Sequence, residues 1–263
     1  MTRFEQPLWG YELTYPGEWV YRALDDVEGF APRSDAFNPS KGDKSGHLLI
    51  QAEWNAQQRP IEPLWKAHIG RVAVMLGAKN IGSAPWSLAG AMGFEAELVL
   101  PKKEDKRLWV GFLAHSTVVL KFMLSHPLEQ RPDFDPVVTE MLKSLEFIAQ
   151  VEGLPVHESG IPLPPDCQPM DPLEVLSDIS ESENWAVFDS PHPIDGLQAF
   201  YQREAPSHGW EIETFQPFPG QQNLGFARLR LRKGEQVIAM GLLPYSEAAG
   251  ERSPRGRIAF QLP

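Results

Sequence analysis

The sequence predicts two α+β domains joined by a proline-rich linker. Three observations carry this. Short runs of alternating apolar and polar residues recur in both halves, and their connections are too short for parallel crossovers. Only a few stretches have helical spacing. Residues 151–172 carry Pro155, Pro162, Pro164, Pro165, Pro169 and Pro172, a density that opposes regular structure. The expected limits are therefore a domain over 1–150, a linker over 151–172 and a smaller domain over 173–263.

The first strand is expected over 10–15, where Tyr11, Leu13 and Tyr15 alternate with Glu12 and Thr14. Pro16-Gly17 ends it with turn chemistry. Residues 33–46 are polar and read as a loop, and 47–54 as the next strand. Trp65, Ile69, Val72 and Leu76 fall at helical spacing between Pro63, suited to a first turn, and Gly77, suited to a C-cap. Strands follow over 93–100, 107–114 and 117–125. The turn 102–106 joins the first two, so an antiparallel meander is expected. The glycines of Ala89-Gly90-Ala91-Met92-Gly93 read as a tight turn into this meander. Asp135 has the position of an N-cap, with Pro136 at the first helical residue. Val138, Leu142 and Leu145 line one face of that helix.

The second half opens on an acidic run, 171–183. A strand is expected over 185–188. A helix over 194–205 follows, with Ile194, Leu197 and Tyr201 on one face and Pro206 and Gly209 closing it. Further strands are expected over 210–215, 224–231, 236–243 and 257–262, with Lys233-Gly234 turning between the middle pair. The second domain is thus a small antiparallel sheet with one main helix.

Composition narrows the function. The chain has 263 residues, 42% hydrophobic and 22% charged, as globular proteins do. Its 35 acidic and 24 basic residues give a net charge of −11. Nucleic-acid affinity depends on cationic neutralisation of phosphates, so nucleic acid is not the expected partner. Anionic membranes are disfavoured for the same reason. One cysteine, Cys167, excludes an intrachain disulfide and fits a reducing compartment. The N-terminus lacks the basic-then-apolar pattern of a signal peptide, and no apolar run is long enough to insert in a bilayer. The expected location is cytoplasmic.

No catalytic set is recognisable. The seven histidines show neither i, i+4 ligand spacing nor His-Glu-x-x-His. His115 and His126 would approach one another if they ended adjacent strands, with Asp133 or Asp135 near. That arrangement is the one metal site the sequence suggests, against the plainer reading of loop histidines. Cys167, among prolines, reads as an inert thiol. There is no Gly-x-Ser-x-Gly and no phosphate loop. No cofactor is called for.

Binding features stand out more. Arg228, Arg230 and Arg232 alternate with Leu229 and Leu231, so a strand there puts three guanidiniums on one face, with Lys233 extending them. They suit an acidic partner, or else a solvated face balanced by nearby acids. Among eight tryptophans most belong to cores. Trp9 and Trp86, with Phe218, sit beside proline or glycine in expected loops and are the candidate hot spots.

Two motifs point further. Tyr11-Glu12-Leu13-Thr14-Tyr15-Pro16-x-x-Trp19, the long helix, and Leu142-Lys143-Ser144-Leu145-Glu146-Phe147 together resemble the PsbP-like superfamily, over about residues 8–150. That superfamily spans PsbP, DcrB and Ran-release-factor-like proteins. The resemblance implies an antiparallel sheet sandwiched by helices, in proteins that mostly bind other proteins, with no shared catalytic constellation. The second half resembles a small bacterial domain of unknown function, often found in lipoproteins. The resemblance lies in Ile161-Pro162-Leu163-Pro164-Pro165-Asp166-Cys167, Phe188-Asp189-Ser190-Pro191, and Phe200-Tyr201 followed by Gly209-Trp210. No lipobox accompanies it here. The function expected is a non-catalytic, protein-binding accessory subunit of a larger bacterial assembly, with self-association left open. The alternatives are a chaperone for a secreted or membrane-inserting client, using an apolar sheet face, and a ligand- or metal-binding protein.

Overall fold

The computed structural model describes residues 1–24, 26–38, 45–101, 105–176, 181–218, 225–245 and 254–262, with the backbone alone of 80 and 81. Parts of the expected loop 33–46, the turn 102–106 and the acidic run 171–183 lie outside the described residues.

Contacts divide the chain into two units. The first comprises Met1–Glu5 and Tyr11–Phe147, and the second Gln6–Gly10 and Ile148–Pro263.

In the first unit β1 (Thr2–Gln6), β2 (Tyr11–Tyr15) and β10 (Glu146–Phe147) form a three-stranded sheet. The main sheet has seven strands in the order β3-β4-β5-β9-β8-β7-β6. They are β3 (Val20–Leu24), β4 (Val27–Ala31), β5 (His47–Trp54), β6 (Lys79–Leu88), β7 (Ala91–Val99), β8 (Lys106–His115) and β9 (Val118–Pro127). All pairings are antiparallel. Helix α1 (Ile61–Leu76) covers one face, burying Trp65, Ile69 and Val72 against Leu98, Leu108, Val110 and Phe112. Gly77 caps it in the left-handed conformation, φ 62°, as expected. Helix α2 (Arg131–Lys143) buries Phe134, Val138 and Met141 rather than the expected Val138, Leu142 and Leu145, since Leu142 is half-buried and Leu145 lies past its end, and Trp19 stacks on Phe134 at 5.0 Å. The motif tryptophan and the closing helix therefore share one core.

Two expectations need correction here. Helix α2 begins at Arg131 rather than after Asp135, because Pro132 already suits its first turn. Pro136 is accommodated inside, and the Asp135 carboxylate is engaged by other side chains instead of capping. Strand β6 occupies the stretch around Trp86 that was expected as a loop; it is an edge strand, where Pro85 costs no ladder bond on its open side.

The second unit is a six-stranded antiparallel sheet in the order β11-β12-β16-β15-β14-β13. Its strands are β11 (Gln168–Met170), β12 (Trp185–Pro193), β13 (Glu211–Gln216), β14 (Ala227–Lys233), β15 (Gln236–Tyr245) and β16 (Arg255–Gln261). Helix α3 (Ile194–Ser207) buries Leu197, Phe200, Tyr201 and Ala205 against Leu229, Leu231, Ile238, Met240, Leu242, Ile258 and Phe260. The proline-rich stretch is more ordered than its composition suggests. Ile161 and Leu163 join this core, and β11 pairs with β12 despite Pro169, again at a sheet edge.

Candidate interaction surface

The strand pairing fixes which side chains share the face of the second sheet opposite α3. Leu229 and Leu231 of β14 point into the core, so Arg228, Arg230 and Arg232 point away from it. The register places Arg228 beside Gly241, Arg230 beside Ala239 and Arg232 beside Val237 of β15. Leu243 and Tyr245 continue that row and pair with Arg257 and Arg255 of β16. The face thus has one half-buried apolar row, with three arginines beside Val237, Ala239 and Gly241 on the β14 side and two beside Leu243 and Tyr245 on the β16 side. Phe226 lies over Gly241, where an added Cβ would come within 3.6 Å of its ring.

The arginines differ in their neighbours. Glu213, at a bulge of β13, accepts from Nε of Arg230 at 2.7 Å and from Nε of Arg232. These two bonds hold the Glu213 carboxyl below its ordinary pKa, the Arg232 bond contributing most. Arg257 lies 3.7 Å over the Tyr245 ring and pairs with Asp189 at 3.3 Å. Arg228 is exposed, and among the described residues it has no carboxylate partner. Lys233 does not extend the row. Its ammonium donates to the His208 carbonyl at 2.9 Å and lies 5.8 Å over the buried ring of Trp210.

The three aromatic candidates are not gathered on this face. Trp9 and Phe218 are half-buried and packed against the core on the α3 side. Gly196 makes room for Leu8 and Trp9, since a Cβ there would lie 2.3 Å from Leu8 and 3.3 Å from the Trp9 ring. The amide of Gln198, itself buried, holds Phe218 by accepting from its N–H at 2.8 Å and donating to its carbonyl at 2.7 Å. Trp86 lies in β6 rather than in a loop. Its ring meets Trp109 edge-on at 5.2 Å and Phe122 at 5.4 Å, over Gly111. The proline and glycine beside it belong to a strand and a turn, which is why the sequence suggested a loop.

The suggested histidine pair does not form. In the β8–β9 hairpin His115 pairs with Val118 at the turn, whereas His126 pairs with Arg107 at the open end. His115 stacks on Phe147 at 4.2 Å. His126 is buried, with Nε2 2.8 Å from Asp135 and Nδ1 2.7 Å from the Pro127 carbonyl. Arg107 bonds both Asp135 and Glu97, and Arg131 approaches Asp135 at 3.3 Å. Asp135 is near His126 as expected, but the group is an ion-pair network tying α2 to the sheet. No cluster of metal-ligating side chains occurs among the described residues. Burial pushes the Cys167 thiol up to about 11, opposite to the shift a nucleophile needs.

The signal for the apolar row was present in the sequence. A two-residue loop at Gly234-Glu235 makes Arg232 face Val237, and every second residue from there to Leu243 is apolar or glycine. Glu213 was not legible, because the bulge that brings it under two arginines is a tertiary feature.

No family model matches the chain, and no curated protein matches it. Solved structures do. Cyanobacterial PsbP (CyanoP) from Synechocystis is 13% identical over 56% of this chain and 91% of its own, with a TM-score of 0.42. The Ran-binding protein Mog1p of Saccharomyces cerevisiae is 9% identical over 56% and 95%, with a TM-score of 0.39. LpqN of Mycobacterium tuberculosis, described as involved in cell envelope biogenesis, is 9% identical over 52% and 83%, with a TM-score of 0.42. Each of the three similarities spans little more than half of this chain.

Proposed function

We propose that this protein is a non-catalytic binding module whose second sheet docks an acidic segment of a partner protein. One observation carries the reading: on the face turned away from the unit's own helix, a half-buried apolar row has three arginines along one side of one end and two along the other side of the other end. In a chain of net charge −11, a face carrying Arg228, Arg230, Arg232, Arg255 and Arg257 runs against the overall sign. Charge complementarity would steer an acidic partner, and the apolar row supplies the area that dehydrates the contact. A segment with alternating acidic and apolar side chains matches the two-residue period of the face.

The test is fluorescence anisotropy with labelled peptides of alternating Glu and Leu, and of alternating Lys and Leu, titrated with the full chain. Binding should be selective for the acidic peptide and weaken steeply with salt. The double substitution Arg228→Glu with Arg230→Glu should weaken it by roughly tenfold or more, as loss of charge-assisted contacts does. Equal binding of both peptides, or binding unaffected by the substitutions, would sink the proposal.

A further inference from the structure

The first unit carries a second, unrelated concentration of positive charge. Leu64, His68 and Arg71 lie on one side of α1, since residues three and four apart share a helix face. In β9 the alternation that sends Val119 into the core beneath α1 sends Lys121 to the same face of the sheet. Arg59 stands just before α1, in a turn held by Asn55. That buried amide accepts from the Arg59 N–H at 3.0 Å and donates to the Arg59 carbonyl at 3.1 Å. Arg59, Arg71 and Lys121 converge on a small concavity also lined by Glu53, Asn55 and Phe112.

The charges there do not balance. Lys121 is paired with Glu53. Among the described residues Arg59 and Arg71 have no carboxylate partner, whereas Arg3, Arg33, Arg107, Arg131, Arg203 and Arg257 each have one. Three cations against one carboxylate leave two positive charges uncompensated in a chain with an excess of acids. The neighbouring imidazole reports the same field. His68 is pushed down to about 4, by burial first and then by Lys121 and Arg71, with Glu53 opposing.

We infer that Arg59, Arg71 and Lys121 form a binding site for a small tetrahedral oxyanion, a phosphate or phosphomonoester. Guanidiniums bond such oxygens in pairs, and two of them beside an ammonium supply the donors the group requires. The concavity holds about 20 Å³, which seats one oxygen and leaves the rest of the ligand at the mouth among the guanidiniums. A whole buried ligand does not fit, so whatever the phosphoryl group is attached to points into solvent. The site is independent of the arginines of the second sheet.

Isothermal titration calorimetry and ¹H–¹⁵N shifts of the arginine Nε groups, on the full chain, test this. Inorganic phosphate, O-phosphoserine and acetate are titrated at constant ionic strength set with sodium chloride. Phosphate should saturate with a dissociation constant of about 1 mM or tighter and shift Arg59 and Arg71. Arg59→Gln and Arg71→Gln, both at exposed side chains, should each weaken it by roughly tenfold while leaving the unfolding midpoint near that of the parent. Tighter O-phosphoserine would assign an esterified ligand, and equal affinity a free phosphate. Acetate binding as tightly as phosphate would overturn the tetrahedral assignment. Absence of saturation, or saturation unchanged in both variants, would overturn the site.

Discussion

Arg203 and Glu204 are neighbours in sequence and form a salt bridge in the second unit, with the Glu204 side chain fully buried. Glu204 accepts from Arg203 Nε at 2.7 Å and from the Val151 N–H at 3.2 Å. Arg203 donates onward to the carbonyls of Pro7 and Leu8. Removing one partner leaves the other charge buried, so Glu204→Ala should cost about 3–5 kcal/mol in urea unfolding. Replacement of both residues by apolar ones should cost less than that single change. At Glu213 the expectation is the reverse of a loss. It competes internally for Arg230 and Arg232, so Glu213→Gln should strengthen binding of an acidic peptide while barely moving the unfolding midpoint. Anisotropy on the variant checks this, and weaker binding would show that Glu213 positions the arginines instead. Such residue-level partnerships were only partly legible. The alternation of Arg228, Arg230 and Arg232 was plain in the sequence, but their partner lies on another strand, and His126 meets Asp135 only because a sheet and a helix bring them together.

At the scale of elements, the meander of the first unit depends on a close approach between β7 and β8. A Cβ on Gly93 would lie 1.7 Å from the Phe112 carbonyl oxygen, which is backbone and has no means of yielding cheaply. Gly93→Ala should therefore destabilise the first unit by about 3 kcal/mol, the upper end of the usual overpacking cost, read by urea denaturation, with little effect on the second. The glycines there were legible as a tight turn. Ala89 and Gly90 form it with φ 51° and 76°, joining β6 to β7. Strands with alternation and short turns, β2, β5, β8, β9, β14 and β15, could be read directly. Strands β3, β4, β6 and β11 could not. Each has an edge position or a companion that is an edge, and edge strands tolerate the exposed and turn-forming residues that disguise them.

The whole molecule responds to pH through histidines that burial keeps neutral. His47 is pushed down to about 4 by burial and then by Lys106, and His68 to about 4 as described. Both have folded-state values below the ordinary 6.5, so the unfolded chain takes up their protons first as pH falls. Stability they supply is complete above pH 6.5 and is lost progressively toward pH 4. The urea midpoint of the first unit should fall across that window, and His47→Gln with His68→Gln should flatten the fall. An unchanged slope in the double variant would show that carboxylates account for it. Organisation at this scale was legible in part. Two sheets with their own cores follow from the pattern of the two halves. That Gln6–Gly10 belongs with the second unit does not, since it rests on Leu8 and Trp9 finding the space left by Gly196.

On the proposed function, the face of the second sheet opposite α3 binds an acidic segment. Amide shift mapping on the full chain, with the alternating Glu–Leu peptide as titrant, tests it most directly. Saturable shifts are expected along β14 and β15, centred on Arg228, Arg230, Ala239 and Gly241, and should be lost when Arg228 and Arg230 become Glu. Shifts confined to other surfaces, or none at saturating peptide, would contradict it.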